Sequence, residues 1–151
     1  MYVVVNVEGP KAGVERFVAS VSSARSPLVG SRVSRRWTHA AIEDPRLELV
    51  AESSGRRAPP YRARYSFGSR GSGGGPGEHF RAASRRHPKL CFVVCWLYPD
   101  PGCGEIGREE FVGGDRVRET LCPLEGNDKR FEELAREWLD WELPAGYPQG
   151  E

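Results

Sequence analysis

The chain has 151 residues, of which 38% are hydrophobic and 28% charged, a composition typical of a soluble, single-domain protein. No apolar run approaches the roughly 18 residues of a membrane span, and the short apolar stretch after Met1 lacks the basic start of a signal peptide. The net charge of +1 conceals an asymmetry. Residues 1–90 carry 16 Lys and Arg against 7 Asp and Glu (+9), whereas residues 91–151 carry 6 against 14 (−8). We expect one cytoplasmic domain over residues 1–151 and no membrane association.

The first sixty residues predict one strand, one helix and an irregular insertion. Residues 2–7 are β-branched and apolar, which predicts a buried strand. Apolar residues recur at helical spacing over residues 11–22, which predicts an amphipathic helix. At about residues 24–60 we expect an irregular insertion, with a helical or irregular piece near 37–42 and a short strand at 47–51.

The middle of the chain predicts a strand, a loop and a second helix. Residues 61–67 alternate aromatic with basic or polar side chains, as in a half-buried strand. Six of the ten residues at 68–77 are glycine, which predicts a flexible loop. A helix should follow over residues 78–86. We do not expect a phosphate site, because the loop lacks the Gly-Lys-Ser/Thr ending of a P-loop and Glu78 would repel an anion there.

The third part of the chain predicts a central strand and a hairpin. Residues 90–98 form a continuous apolar run, consistent with a central strand. Residues 106–112 and 115–122 flank Gly113-Gly114, and a glycine pair supplies the positive φ angles of a tight turn. We therefore expect two antiparallel strands joined by this turn.

The clearest predicted helix is the last one. Asn127 or Asp128 caps its start, and Pro144 stops it. Phe131 and Leu134 begin its apolar stripe, which should pack on the core.

The order of these elements predicts an α+β fold in one domain. We expect a mainly antiparallel sheet with helices on one face. The nearest standard motif is a ferredoxin-like (split βαβ) core, with an extra C-terminal helix.

Four segments carry a family resemblance. They are VVVNVEGPKAGVERFVASV, YRARYSFGSRG, the helix end SRRHP followed at once by the strand at 90–98, and the step FVGG into the next strand. On these segments the chain resembles the YubB-like ferredoxin-like proteins, an uncharacterised bacterial family often found on mobile elements. The resemblance covers a little over half of the chain, and the Gly-rich loop departs from the Trp and prolines typical of the family. It implies a fold and supplies no catalytic residues.

The four cysteines, Cys91, Cys95, Cys103 and Cys122, match no standard zinc spacing. Cys91 and Cys95 should share one strand face about 13 Å apart, too far for one metal ion, so we interpret them as core residues. A two-residue turn in the hairpin places position 122 opposite position 105, which brings Cys103 diagonally close to Cys122. A disulfide or half of a metal site stays open there. We expect no metal and no cofactor.

No acid–base or nucleophile constellation stands out, so an enzyme is the less favoured interpretation. The adjacent pair Glu109-Glu110 should point to opposite faces of its strand, and we expect both side chains to be solvated. An enzyme would instead need a pocket that collects a histidine with a carboxylate or a cysteine.

The C-terminal helix predicts a non-catalytic binding protein that engages another protein. This helix is acidic and carries Trp138, Asp140 and Trp141, and tryptophan is a common interface anchor. We predict that these three residues contact the partner. The other interpretation is that both tryptophans complete the core.

Single-stranded nucleic acid is the alternative partner. The strand at 61–67 places Arg62 and Arg64 beside Tyr65, with Arg70 following. Basic side chains beside strand aromatics bind single-stranded RNA in recognition modules that use a ferredoxin-like sheet. Exposure of Tyr65 and Phe67 would favour this alternative.

Overall fold

A computed structural model describes residues 1–22, 42–50, 61–69, 76–100, 104–126 and 128–140. Within these ranges the chain forms six strands and three helices. In chain order they are β1 (Tyr2–Gly9), α1 (Lys11–Ser22), β2 (Ile42–Val50), β3 (Tyr61–Ser69), α2 (Gly77–Arg86), β4 (Cys91–Tyr98), β5 (Glu105–Val112), β6 (Asp115–Pro123) and α3 (Asp128–Leu139).

The six strands form one sheet in the order β2-β3-β1-β4-β5-β6, and every neighbouring pair is antiparallel. The predicted α+β fold with an antiparallel sheet is therefore confirmed. The hairpin β5–β6 turns at Gly113 and Gly114, whose φ angles of 60° and 92° are the positive values that such a turn requires.

One face of the sheet packs against α1 and α2. Alternation along β1 and β4 directs Val3, Val5, Phe92 and Val94 to this face, where they meet Val14 of α1. Every residue in this core cluster is at most 6% exposed. The other members are Val7, Phe17, Ala63, Phe80, Leu90, Trp96 and Phe111.

The opposite face of the sheet packs against α3. Val93, Cys95 and Leu97 alternate with the residues of the first core, and with Ile106 they form a second core beneath α3. The prediction of helices on one face therefore holds for α1 and α2 and is wrong for α3. The physical reason is that β4 is apolar on both faces, so both faces need cover.

Two other predictions are corrected. The short strand predicted at 47–51, within the insertion at about 24–60, begins five residues earlier: β2 runs over Ile42–Val50 and pairs with β3 across a bulge. In the β5–β6 hairpin a second bulge shifts the register by one residue, so Cys122 lies opposite Ile106 and not opposite Glu105. Because the turn alone does not specify a bulge, the sequence pattern predicted an unbroken register.

Candidate binding groove

A groove lies on the side of the sheet that carries α2, between α2 and the β5–β6 hairpin. Its volume is about 760 Å³. We call it the α2–hairpin groove. Its lining residues come from α2, β4, β5 and β6, and they are Gly77, Arg81, Trp96, Glu105, Glu109, Phe111, Asp115, Arg116, Glu119 and Leu121.

Hydrogen bonds join α2 to the hairpin turn and hold the two walls of the groove together. The main-chain N–H of Gly114 donates to the Ser84 hydroxyl (2.9 Å), which in turn donates to the carbonyl of Arg81 (2.8 Å). The Nε of Arg81 donates to the Gly114 carbonyl (3.0 Å). Both polar groups of Gly114 are therefore satisfied by α2, and Ser84 is fully buried.

The Glu109 carboxylate lies against the first residue of α2. A Cβ on Gly77 would overlap its Oε2 atom, so a larger residue at position 77 would require this carboxylate to shift. Pro76 occupies the N-cap position of α2, and its side chain makes no capping hydrogen bond to the helix. The negative charge of Glu109 thus lies at the positive end of the helix dipole, where a carboxylate is stabilising.

Arg116 pairs with two carboxylates inside the groove. Its Nη1 is 2.8 Å from Oε1 of Glu109 and 2.7 Å from Oε1 of Glu119. Glu109 is only 5% exposed, whereas the Arg116 side chain is 46% exposed. The buried charge therefore has its counter-ion on the solvent side, and Glu119 holds that counter-ion in place.

The floor of the groove is apolar. The Trp96 ring lies directly over Gly107, where a Cβ would overlap it, and Phe111 is fully buried beside this layer. Leu121 completes the apolar part of the lining and is 52% exposed. The indole N–H of Trp96 is buried and has no acceptor among the described residues.

The rim of the groove carries more negative than positive charge. Four carboxylates and two guanidinium groups line it, a net charge of −2. Glu109 and Glu119 are paired with Arg116, but Glu105 and Asp115 form no ion pair with any described residue. These two carboxylates stand at the starts of β5 and β6, at opposite ends of the hairpin.

The residues predicted to bind a protein partner lie elsewhere, at the end of α3. Trp138 is half-buried against the second core, and the guanidinium of Arg108 lies 5.8 Å from its ring centroid. Asp140 is exposed with a φ of 53°, and its N–H donates to the carbonyl of Arg136 at 3.2 Å. Trp141 lies outside the described residues, so this site stays a prediction.

The residues predicted for nucleic acid lie on β3. Arg62 is exposed and its Nη2 is 2.6 Å from Oε1 of Glu8, while Arg64 is half-buried. Because Ala63 belongs to the first core, Arg62 and Arg64 point to the opposite face. In the described chain α3 contacts β1, β4, β5 and β6 but not β3. The Tyr65 and Phe67 side chains and all of Arg70 lie outside the described residues.

Three of the five cysteine and histidine side chains that the structure describes are buried, namely Cys95, Cys122 and His79. No cluster of three or more His, Cys, Asp or Glu that could hold a metal ion occurs among these residues. Burial raises the pKa of the Cys95 thiol to about 11, and burial, followed by the proximity of Arg86, lowers the pKa of His79 to about 4. Cys103, and with it the predicted proximity to Cys122, lies outside the described residues.

The buried role of Glu109 was missed by sequence reasoning. Glu109 and Glu110 do point to opposite faces, but Glu109 is buried and only Glu110 retains partial exposure. The one local signal was the position of Glu109 two residues before buried Phe111, on the same strand face. Its two neighbours, Gly77 and Arg116, come from other elements.

Comparisons with known proteins identify no relative. No family model, no curated protein and no solved structure matches this chain. Each helix within the described ranges is too short or too polar to cross a membrane.

Proposed function

We propose that this is a non-catalytic, cytoplasmic binding protein whose main partner is another protein. The partner inserts a segment of its chain into the α2–hairpin groove. The observation that carries the proposal is the half-exposed Leu121 side chain, which lies within a charged rim beside the buried Trp96 and Phe111. Protein interfaces share this arrangement of an apolar centre and a polar periphery.

The length of the groove favours a peptide segment over a compact small molecule. Its lining runs from Glu105, at the start of β5, to Asp115, opposite the end of β5. Seven residue steps of a strand span about 23 Å. Since β6 is the outermost strand of the described sheet, Leu121 is accessible from the side, and it serves as the apolar anchor.

We further propose that β1 to β4, with α1 and α2, form a ferredoxin-like unit. Support comes from the element order β1-α1-β2-β3-α2-β4, the spatial order β2-β3-β1-β4 and the location of both helices on one face. In this proposal β5, β6 and α3 are additions at the β4 edge, and β5 and β6 contribute one wall of the groove. The YubB-like resemblance stays a prediction.

Single-stranded nucleic acid is the second candidate partner. Arg62 and Arg64 point to the side of the sheet on which α3 lies, but in the described chain α3 does not contact β3. This position favours contacts of the two guanidinium groups with the phosphate backbone of a nucleic acid. The ion pair between Arg62 and Glu8 weakens this candidate, because it neutralises one of the two cations.

The test is selection of binders from a phage-displayed library of peptides that tile the proteome of the native host. The nuclease-treated protein is compared with Leu121→Lys, which places a charge on the groove floor. Val112→Lys is the matched control, because Val112 is also an exposed apolar residue of the hairpin (39%) but does not line the groove. We expect Leu121→Lys to lower enrichment of selected peptides by about tenfold or more, the size of a typical anchor effect. Val112→Lys should retain it.

Two results would contradict the proposal. One is that no peptide is enriched on the nuclease-treated protein while single-stranded oligonucleotides bind it and lose affinity on Arg62→Ala. The other is that selected peptides bind Leu121→Lys as well as the unmodified protein, which would move the interface to another surface such as α3.

A further inference from the structure

We infer that the surface formed by the start of α1 and the end of α2 binds the phosphate backbone of a nucleic-acid duplex without reading its sequence. This surface is separate from the α2–hairpin groove, and the inference goes beyond the proposed function. We call the surface the basic end. Its side chains are Arg16, Arg85, Arg86, His87 and Lys89.

The topology of the sheet brings these side chains to one end of the molecule. Strands β1 and β4 are antiparallel neighbours, so β1 ends where β4 begins. Helix α1 follows β1 and helix α2 precedes β4, which makes the start of α1 and the end of α2 neighbours. The contacts agree with this. The His87 ring centroid lies 5.4 Å from that of Phe17, and a Cβ on Gly9 would lie 2.9 Å from the Lys89 carbonyl oxygen.

The cations of the basic end lack counter-ions in the described chain. Arg16, Arg85 and Lys89 are exposed, and none of them forms an ion pair with a residue that the structure describes. The described arginines on β3, the hairpin and α3 differ, because each of the following has a carboxylate partner: Arg62, Arg108, Arg116, Arg118, Arg130 and Arg136. The unpaired positive charge is therefore concentrated on the helical side of this end.

The acidic residues nearby do not balance this charge. The basic end and Lys11 together supply five Lys and Arg, against Glu15 of α1 and Asp115 at the start of β6, a net charge of +3. Burial, followed by the proximity of Arg86 and Arg16, lowers the pKa of His87. Cations from two helices thus act on one imidazole, so their fields overlap between α1 and α2.

The helix dipole accounts for only part of the basic end. Arg85 and Arg86 lie in the last turn of α2, where the dipole stabilises a cation. Lys89 lies beyond the end of α2, and Arg16 lies in the second turn of α1, near the positive end of that helix. These two cations gain nothing from the dipoles. A polyanion that contacts both helices would use all four.

The basic end suits a phosphate backbone better than a protein or a single strand. Protein interfaces have an apolar centre, and the large exposed apolar residues of the described chain are all on the hairpin strands. Single strands stack on exposed aromatic rings, whereas Phe17 is buried and the His87 ring packs against it. Arginine and lysine without either feature are typical of contacts with phosphates, which carry no sequence information.

The test measures fluorescence anisotropy of a labelled 20-base-pair DNA duplex of arbitrary sequence, and of one of its strands alone, over a salt series. Four phosphate contacts predict a log–log salt slope of about −3 to −4, so duplex affinity should fall about 100-fold between 50 and 200 mM salt. The single strand should bind more weakly than the duplex. A duplex of unrelated sequence should bind equally well.

The variant is the triple substitution Arg16→Gln, Arg85→Gln and Lys89→Gln. We expect it to weaken duplex binding at low salt by about tenfold or more and to bring the slope to about −1. Lys89→Gln alone should reduce the slope by about one. The matched control is Arg118→Gln, Arg130→Gln and Arg136→Gln, which removes the same charge from exposed arginines of β6 and α3. Circular dichroism should show that both triple variants are folded.

Three results would overturn the inference. One is the absence of duplex binding at low salt. Another is an equal loss of affinity in both triple variants, which would show that net charge alone and not the basic end is responsible. The third is tighter binding of the single strand with a loss on Arg62→Ala, which would move nucleic acid to β3. None of these results bears on peptide binding that depends on Leu121, so the proposed function stands or fails separately.

Discussion

The carboxylate of Glu109 occupies the space in which a side chain on Gly77 would lie. Glu109 lies in the middle of β5, and Gly77 is the first residue of α2. Their contact therefore fixes where α2 begins relative to the hairpin. Arg116 completes the arrangement from β6, so the charged side of the groove depends on three elements at once.

Gly77→Ala should destabilise the fold by about 1–3 kcal/mol, because the added methyl group must displace a buried carboxylate. Urea unfolding followed by circular dichroism measures this free energy. The control is the same substitution in a Glu109→Ala background, where the overlap no longer exists and the cost should nearly vanish. An equal cost in both backgrounds would contradict the account of this contact.

Arg116→Ala should lower the free energy of unfolding by about 1–2 kcal/mol, because it leaves the buried Glu109 without its counter-ion. The effect stays below that of a fully buried pair, since half of the Arg116 side chain is exposed. The matched control is Arg118→Ala, whose side chain is 67% exposed and lies 3.7 Å from Glu110. Thermal or urea unfolding should detect little change for Arg118→Ala, and equal losses for both variants would count against the buried role of Glu109.

Ser84→Ala should cost about 1–2 kcal/mol of stability, because the buried N–H of Gly114 then lacks its acceptor. Hydrogen exchange of this single amide gives a more specific readout than global unfolding. We expect exchange of the Gly114 amide to accelerate in Ser84→Ala. A Gly114 amide that exchanges at the same rate in both proteins would show that Ser84 does not hold the turn on α2.

Acid should destabilise the fold through His79. Burial, followed by the proximity of Arg86, lowers the pKa of His79 from 6.5 to about 4. Below pH 6.5 the unfolded chain binds a proton that the folded chain excludes, so stability falls as the pH drops from 6.5 to 4, by about 3 kcal/mol in total. Urea unfolding of wild type and His79→Gln at pH 7 and pH 4.5 isolates this contribution. An identical pH dependence of the two proteins would refute it.

The main elements follow from local pattern. The apolar alternation of β1 and the helical spacing of residues 11–22 predicted a strand and α1, and the structure has α1 at Lys11–Ser22. The continuous apolar run of β4 predicted a central strand. It did not reveal that α3 covers the second face, because one apolar run cannot distinguish which helix packs on which side. Strand β2 was predicted only from residue 47 onward, because Asp44-Pro45 interrupts its apolar pattern.

The candidate site depends on contacts that local pattern does not encode. Glu109-Glu110 resembles a solvated acidic pair until Gly77 and Arg116 are brought against Glu109. The bulge between Glu110 and Phe111 also changes which β6 residues face the groove, placing Glu119 opposite Glu109 and Leu121 opposite Gly107. Each of these relationships joins elements that are distant in sequence. They could not be predicted from spacing alone.

The most direct test of the central claim is photo-cross-linking from the groove. A benzophenone amino acid is placed at position 121, and separately at positions 62 and 138, and each protein is irradiated in nuclease-treated host lysate. We predict that position 121 cross-links to one defined host protein. The absence of any protein adduct at position 121, with adducts to protein at position 138 or to nucleic acid at position 62 in untreated lysate, would contradict the claim.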